Sequence, residues 1–446
     1  MDYTLDQCKI IYSEDDLIKV KAMAGTGKTT VLEGFTRERP FSTFLYLSYN
    51  KGIKQSSRRK FPSNTQVHTI ASLAFKYIGK DFQYKLIDNL KISDLTKLLN
   101  VDYVMAQSVL DCLTFFFNSS NKKIECPDET IRKLSEDTFN KMLDVKNEKY
   151  KISHEAYTKY FQLLEMDLKF DYIIVDEAQD INEVSKAIID NQTSKKIYVG
   201  DNLQSIYGYR NTVSLLDDYT HTLNETFRFG ENIATFVTDF IQEYIDPNEC
   251  ILSTKDDSTF NLASDRYTLI TRTNAYLFDK AVELTNLNKS IHIIGEGIIF
   301  NELLDGMNLY TGDLYKIKSK YIKDFKSFEN MKKISEKVND AELRFLVKIV
   351  EKYKENIEFF IKKIKNKLQK EKYADIILTT THRSKGLEFF NVKIGEDFTP
   401  LFNDNGKLIK KIDKEELNIY YVAMTRVIDN LILNKDLQKK YGDKIC

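Results

Sequence analysis

What the 446-residue chain lacks already narrows its class. No stretch approaches the roughly 18–20 consecutive apolar residues of a membrane span, so an integral membrane helix is not expected. The opening, MDYTLDQCKIIYSEDD, has no basic start followed by an apolar stretch, and no secretory signal is expected either. Cysteine is scarce. Cys8, Cys112, Cys126, Cys250 and Cys446 are scattered, odd in number and without paired metal spacing. That argues against a disulfide framework and suits a reducing, intracellular compartment: cytoplasm or nucleoid, or a nucleus in a eukaryote. The Asn-x-Ser/Thr matches at Asn118, Asn191 and Asn224 therefore carry little weight. There are only five prolines and no repeat or low-complexity tract. Net charge is also missing, at +0. This argues against a globally basic nucleic-acid coat while leaving room for a local basic groove.

What is present is an ordinary globular composition, 42% hydrophobic and 30% charged, long enough for two to four structural units. Short apolar runs followed by helical patterns recur. Residues 17–23, 43–50, 170–180 and 195–201 read as buried strands, and their alternation with helices predicts a parallel sheet covered on both faces. Residues 76–164 turn mainly helical. A second set of strands is expected at 267–273, 291–295, 374–382, 389–397 and 430–434. It is interrupted by Leu343, Val347, Val350, Tyr353, Ile357, Ile361, Ile364 and Leu368, whose spacing predicts one long amphipathic helix over 341–370. The class is thus α/β with two cores, each carrying a mainly helical insertion. The boundaries are 1–75 and 165–222 for the first core, with 76–164 inserted. They are 223–295 and 373–446 for the second, with 296–372 inserted. Charge concentrates in this last region: residues 311–372 hold eighteen Lys or Arg against ten Asp or Glu. A solvated helical face and a nucleic-acid contact both fit that excess.

The chemistry starts in KVKAMAGTGKTTVLEGF, Lys19 to Phe35. A phosphate cradle needs backbone N–H groups aimed at oxygen and a helix N-terminus behind them. Gly25 and Gly27 allow the turn, Lys28 reaches the β- and γ-phosphates, and Thr29 offers its hydroxyl to Mg²⁺. Ala22 stands where the common pattern has glycine, which is acceptable at negative φ. Further on, YIIVDEAQD ends a buried strand in Asp176-Glu177. Asp176 is expected to support Mg²⁺, and Glu177 to orient and deprotonate the attacking water. The competing reading of these acids is a helix N-cap.

At this point the chain resembles the superfamily-one DNA helicases of the UvrD/Rep type, and among them the F-box DNA helicase branch. The resemblance rests on motifs in the family's order: TLDQCKII, the glycine loop, FLYLSYNKGIKQSSRRKFPSNTQVHTIASLAF, DEAQD, VGDNLQSIYGYR, LNETFRFG, TTTHRSKGLEFF and EELNIYYVAMTR. ISHEAYTKYFQL, ahead of DEAQD, resembles the F-box branch in particular. The resemblance implies two RecA-like P-loop NTPase cores and a 3′-to-5′ helicase or single-strand translocase using ATP and Mg²⁺ on single-stranded and tailed duplex DNA. It implies that Gln7 reads adenine, Phe227 stacks on it and Glu388 meets the ribose. Ala24, Gly25, Thr26, Gly27, Lys28, Thr29 and Thr30 would cradle phosphate. Gln204 would sense the γ-phosphate, and Arg228 and Arg426 would stabilise transition-state charge. Asn50, Thr69, Tyr207, Tyr209, Thr380 and His382 would touch DNA. Two departures stand out. Ala71 occupies a place where the family usually has histidine, and the chain starts almost at the glutamine motif, so no F-box is expected. A DNA-dependent ATPase that strips proteins without processive unwinding, a nucleotide-gated DNA-binding module and an RNA translocase remain alternatives on residues alone.

Overall fold

The computed structural model describes residues 3–48, 60–208, 212–337, 341–403, 407–409 and 412–442. The chain divides into two compact units, Met1–Glu225 and Thr226–Cys446. Among the described residues no helix is long and apolar enough to cross a membrane.

In the first unit, six parallel strands lie in the spatial order 221–223, 17–22, 195–200, 172–176, 44–47 and 65–68. Side chains alternate across a sheet with period two, so each strand serves two cores at once. Ile18, Val20, Phe44, Tyr46, Tyr172, Ile174, Ile197 and Val199 enter one cluster, together with Val31, Leu32 and Phe35 from the helix Lys28–Arg37. Leu45, Leu47, Ile173, Val175 and Tyr198 point the other way, into a second cluster. That second cluster also contains Leu95, Ala106, Val109, Leu113, Phe116, Phe139, Tyr157 and Phe161, from helices within residues 92–163. The helical region and one sheet face therefore share a single core.

Two lysines are fully buried in this helical region, Lys85 and Lys159. Each caps a helix end through backbone oxygens. Lys85 Nζ donates to the carbonyls of Asp144 and Asn147, both at 2.9 Å, just past the helix Glu129–Leu143. Lys159 Nζ donates to the carbonyls of Ser119, at 2.9 Å, and Asn121, just past the helix Tyr103–Asn118. A cation at a helix C-terminus meets orphan carbonyls and the negative end of the dipole. Burial nevertheless pulls the Lys159 ammonium down to about 8, against the opposing charge of Glu183.

The second unit holds another six-stranded parallel sheet, ordered 259–260, 427–432, 389–394, 267–271, 376–380 and 291–293. Residues 296–365 are mostly helical. The single long helix expected over 341–370 is instead two, Ala341–Tyr353 and Ile357–Lys365, separated by the 3₁₀ turn Lys354–Asn356. Lys354 takes a left-handed φ of 48°, which ends the first helix. Val350 and Ile357 are seven residues apart and both fully buried. The apolar period thus runs across the break without registering it. Several lysines here are engaged within the unit: Lys316 with Asp313, Lys332 with Glu351, Lys352 with Asp279 and Lys362 with Glu358.

Candidate nucleotide site

The strand Leu17–Ala22 ends at a fully buried Ala22, paired in register with Leu223. Ala22 does not enter the left-handed region, whereas Gly25 (φ 78°) and Gly27 (φ 79°) do. Only glycine adopts that conformation without strain. Thr26 is buried, and its hydroxyl donates to the Met23 carbonyl at 2.9 Å, closing the loop on itself. Gly27 is the N-cap of the helix Lys28–Arg37, whose first amides receive no side-chain cap. Those N–H groups, with the dipole behind them, form an anion-binding end. Ala24 is buried in the loop; Lys28, Thr29 and Thr30 lie half-buried on the first helical turn.

Gln7, 4% exposed, is fastened to this loop. Its Nε2 donates to the Thr26 carbonyl at 3.3 Å, and its Oε1 accepts from Thr4 N at 3.1 Å within a capping box. An amide has two N–H donors and two acceptor lone pairs. One of each is used here, by Thr4 N and the Thr26 carbonyl.

Asp176 and Glu177 end the next-but-one strand of the sheet, at the same C-terminal edge as the glycine loop. Asp176 is buried; its carboxylate accepts from the Tyr46 hydroxyl and from Glu177 N at 3.0 Å. Burial pushes its carboxyl up to about 6, and the Glu177 charge adds to that; the Tyr46 bond and the Lys28 ammonium oppose it. Glu177 is 8% exposed and stands in the left-handed region, φ 56° and ψ 48°. Glutamate rarely adopts this conformation, and such strain costs on the order of 1–3 kcal/mol.

A chain of buried hydrogen bonds continues from Glu177. Gln179 Nε2 donates to Glu177 Oε2 at 2.6 Å, and Gln179 Oε1 accepts from Asp201 N at 3.0 Å. Asp201 Oδ1 accepts from Leu203 N at 3.0 Å, and its Oδ2 accepts from Gln204 Nε2 at 2.9 Å. Gln179, Asp201 and Gln204 are all nearly inaccessible. Gln204 thus turns back onto Asp201, at the end of the strand Lys195–Gly200.

The second unit gathers its own cluster. Arg228 Nη2 meets Glu388 Oε1 at 2.7 Å, and Nη1 donates to the Thr425 carbonyl at 2.6 Å. Its Nε is buried without a hydrogen-bond partner. Arg426 is 2% exposed, with Nε donating to the Val422 carbonyl at 3.0 Å and Nη1 to the Leu387 carbonyl at 3.4 Å. Residues far apart in sequence, Arg228, Glu388 and Arg426, therefore meet around Thr425. Phe227 beside them is 46% exposed, an unusual position for a phenylalanine.

The residues expected at DNA are more dispersed. Thr69 caps the helix Ile70–Tyr77 through its hydroxyl, which accepts from Ser72 N at 3.1 Å. Thr69 and Ala71 line a cavity of about 340 Å³ with Phe117, His154 and Thr158. Tyr157 donates to the Ala71 carbonyl at 3.0 Å and lies 2.9 Å from His154 Nδ1. Tyr207 is half-buried; Thr380 is buried at the end of the strand Ile376–Thr380, with His382 half-buried just beyond. Asn50 and Tyr209 lie outside the described residues.

No group of three or more His, Cys, Asp or Glu among the described residues could hold a metal by itself. Mg²⁺ does not require one, since it binds through one or two protein oxygens, substrate phosphates and water. The donors at this edge, the Thr29 hydroxyl and the Asp176 carboxylate, are hard oxygens of the kind it takes.

Residues 50–218 match the UvrD/REP helicase N-terminal domain. The chain is 30% identical over 487 aligned positions to F-box DNA helicase 1 of Gallus gallus, covering 95% of this chain and 48% of that protein. It is 29% identical over 501 positions to F-box DNA helicase protein 1 of Schizosaccharomyces pombe, covering 96% and 56%. The chain therefore spans about half the length of the curated relatives it matches. Its two parallel sheets are those of two RecA-like P-loop NTPase cores; residues 50–218 are similar to UvrD/Rep helicases, and nearly the whole chain is similar to F-box DNA helicases.

Proposed function

We propose that this chain is an ATP-dependent DNA helicase or single-strand DNA translocase that moves 3′ to 5′. The observation that carries the reading is one sheet edge holding an uncapped glycine-loop helix, a buried Asp176-Glu177 pair and Gln204. Thr29 and Asp176 would hold Mg²⁺, which when bound would neutralise phosphate charge. Lys28 neutralises the same phosphates. Glu177 takes the proton of the attacking water as the bond to the γ-phosphorus forms, and the leaving ADP oxygen departs in line. Arg228 and Arg426 supply cationic donors for the charge that develops. Gln7 and Phe227 hold the base, and Glu388 the ribose. Thr69, Tyr207, Thr380 and His382 would line a sequence-tolerant strand track, joined by Asn50 and Tyr209. The domain limits of the sequence reading, with insertions at 76–164 and 296–372, are part of this proposal. Steady-state ATP hydrolysis with and without single-stranded DNA tests the activity. Strand displacement on 3′- and 5′-tailed duplexes tests the direction. Hydrolysis indifferent to DNA, or unwinding only from 5′ tails, would sink the corresponding half.

A further inference from the structure

The side chain that holds Glu177 is one that the motif roles leave unused. Gln179 is 1% exposed and its amide is pinned at both ends. Asp201 N can only donate, so the Gln179 atom 3.0 Å from it must be the carbonyl oxygen. The NH₂ end is thereby forced toward Glu177 Oε2, 2.6 Å away. A backbone amide from a neighbouring strand end thus dictates which way the glutamine faces.

Room for this strut is provided at the end of the neighbouring strand. A Cβ added to Gly200 would lie 2.2 Å from Gln179 Oε1 and 2.9 Å from Ala178 N. Any side chain at 200 would therefore displace the amide. Glu177 itself sits in a left-handed conformation, φ 56° and ψ 48°. The same Asp201 that orients Gln179 through its N–H also accepts from Gln204 through Oδ2.

Resting on the proposed ATPase reading, we infer that Gln179 is a positioning residue, one that aims the Glu177 carboxylate at the attacking water and references it to the Asp201–Gln204 turn. Its amide is taken up at both ends by Glu177 and Asp201, so it should govern turnover and not affinity.

Gln179→Met keeps the length and removes both hydrogen bonds. On the full chain, kcat should fall about 10–100-fold, the scale of a misplaced catalytic group. KM for ATP and binding of a fluorescent ATP analogue should stay close to wild type, while the melting temperature falls modestly because the buried Asp201 N–H loses its acceptor. The deciding comparison uses Glu177→Gln as background. A residue acting only through Glu177 costs nothing further once that carboxylate is gone, whereas a general structural defect costs the same in both backgrounds. Single-turnover rates of Gln179→Met, Glu177→Gln and the double variant give the answer. Equal losses in both backgrounds, or full turnover in Gln179→Met, would overturn the inference. Should Gln179→Met lose its fold, Gln179→Glu carries the same comparison. It keeps the acceptor for Asp201 N and loses the donor, so wild-type turnover there would also refute the role. If Glu177→Gln alone turns over normally, the site reading falls and Gln179 with it; if Glu177→Gln is impaired and Gln179→Met is not, only the positioning role falls.

Discussion

The two units carry sheets of the same size and sense, yet the candidate site residues that each gathers carry opposite charge. At the strand ends of the first, the ionisable groups are acids: Asp176 and Glu177 are buried side by side, with Asp201 nearby. In the second, the candidate side chains that gather are guanidinium groups, Arg228 just past the short strand Glu225–Thr226 and Arg426 just before the strand Val427–Ile432. Arg228 and Arg426 are held by backbone carbonyls, with the exposed Phe227 beside them. Each set is electrically unfinished. Burial, with the Glu177 charge adding to it, raises Asp176 toward its neutral form, and Arg228 leaves a buried N–H without an acceptor. Nucleotide chemistry of this class needs both signs, one to hold metal and activate water and one to absorb phosphate charge.

The sharpest way to break this comparison is to remove the cations. Arg228→Ala and Arg426→Ala should each reduce DNA-stimulated hydrolysis by about 10³–10⁵-fold, the range for arginines at transferring phosphoryl groups. The pair should differ in stability. Arg426 is buried and satisfies the Val422 and Leu387 carbonyls, so its loss should cost about 1–3 kcal/mol more. Chemical denaturation beside the rate measurement separates the two effects; equal and full activity would remove both from the site.

On the acidic side, Glu177→Gln should slow hydrolysis by about 10²-fold or more while ATP still binds. Lys28→Ala should lose turnover almost completely, since the phosphate charge loses its partner. Isothermal titration with a slowly hydrolysed ATP analogue distinguishes lost binding from lost chemistry.

Phe227→Ala is a smaller perturbation. Stacking of a base on an aromatic ring is worth about 1–3 kcal/mol, and it ignores the γ-phosphate. Affinity for ATP and ADP should therefore drop in parallel; a loss confined to ATP would argue against the stacking role.

The mildest test compares a buried cation with the buried carboxylate. Both are driven toward neutrality, Lys159 down to about 8 and Asp176 up to about 6. Between about pH 8 and the ordinary lysine range the unfolded chain binds the Lys159 proton and the folded chain does not. Stability contributed by this group must then rise with pH through that window. Urea midpoints from pH 7.5 to 10 for wild type and Lys159→Met should show a slightly more positive slope in the wild type. Identical slopes would mean that Lys159 keeps its proton throughout.

Much of this was visible in the residues themselves. The long Val/Ile runs mark the inner strands, and the glycine loop and Asp176-Glu177 are contiguous patterns whose chemistry is local. The edge strands Thr65–His68 and His221–Leu223 were not expected. They are short and partly polar, so no apolar run announces them. The break at Lys354 was hidden because periodicity reports which side is buried and not whether the backbone is continuous. In the sequence Gln179 is only a neighbour of the acids. Its meaning depends on Asp201, 22 residues on, and on the space left by Gly200. The sole hint was a Gly-Asp at the end of the following strand.

The left-handed backbone at Glu177 has a consequence for how this position would evolve. Glycine or asparagine would occupy the same φ and ψ with less strain, so replacing the glutamate should make the fold more comfortable as it silences the enzyme. A population of variants selected only for solubility or heat resistance would drift away from glutamate here, and its best-behaved members would be inert. Retaining activity during such a selection therefore requires a functional screen at every round, with position 177 the first place to look when robust folding is accompanied by silence.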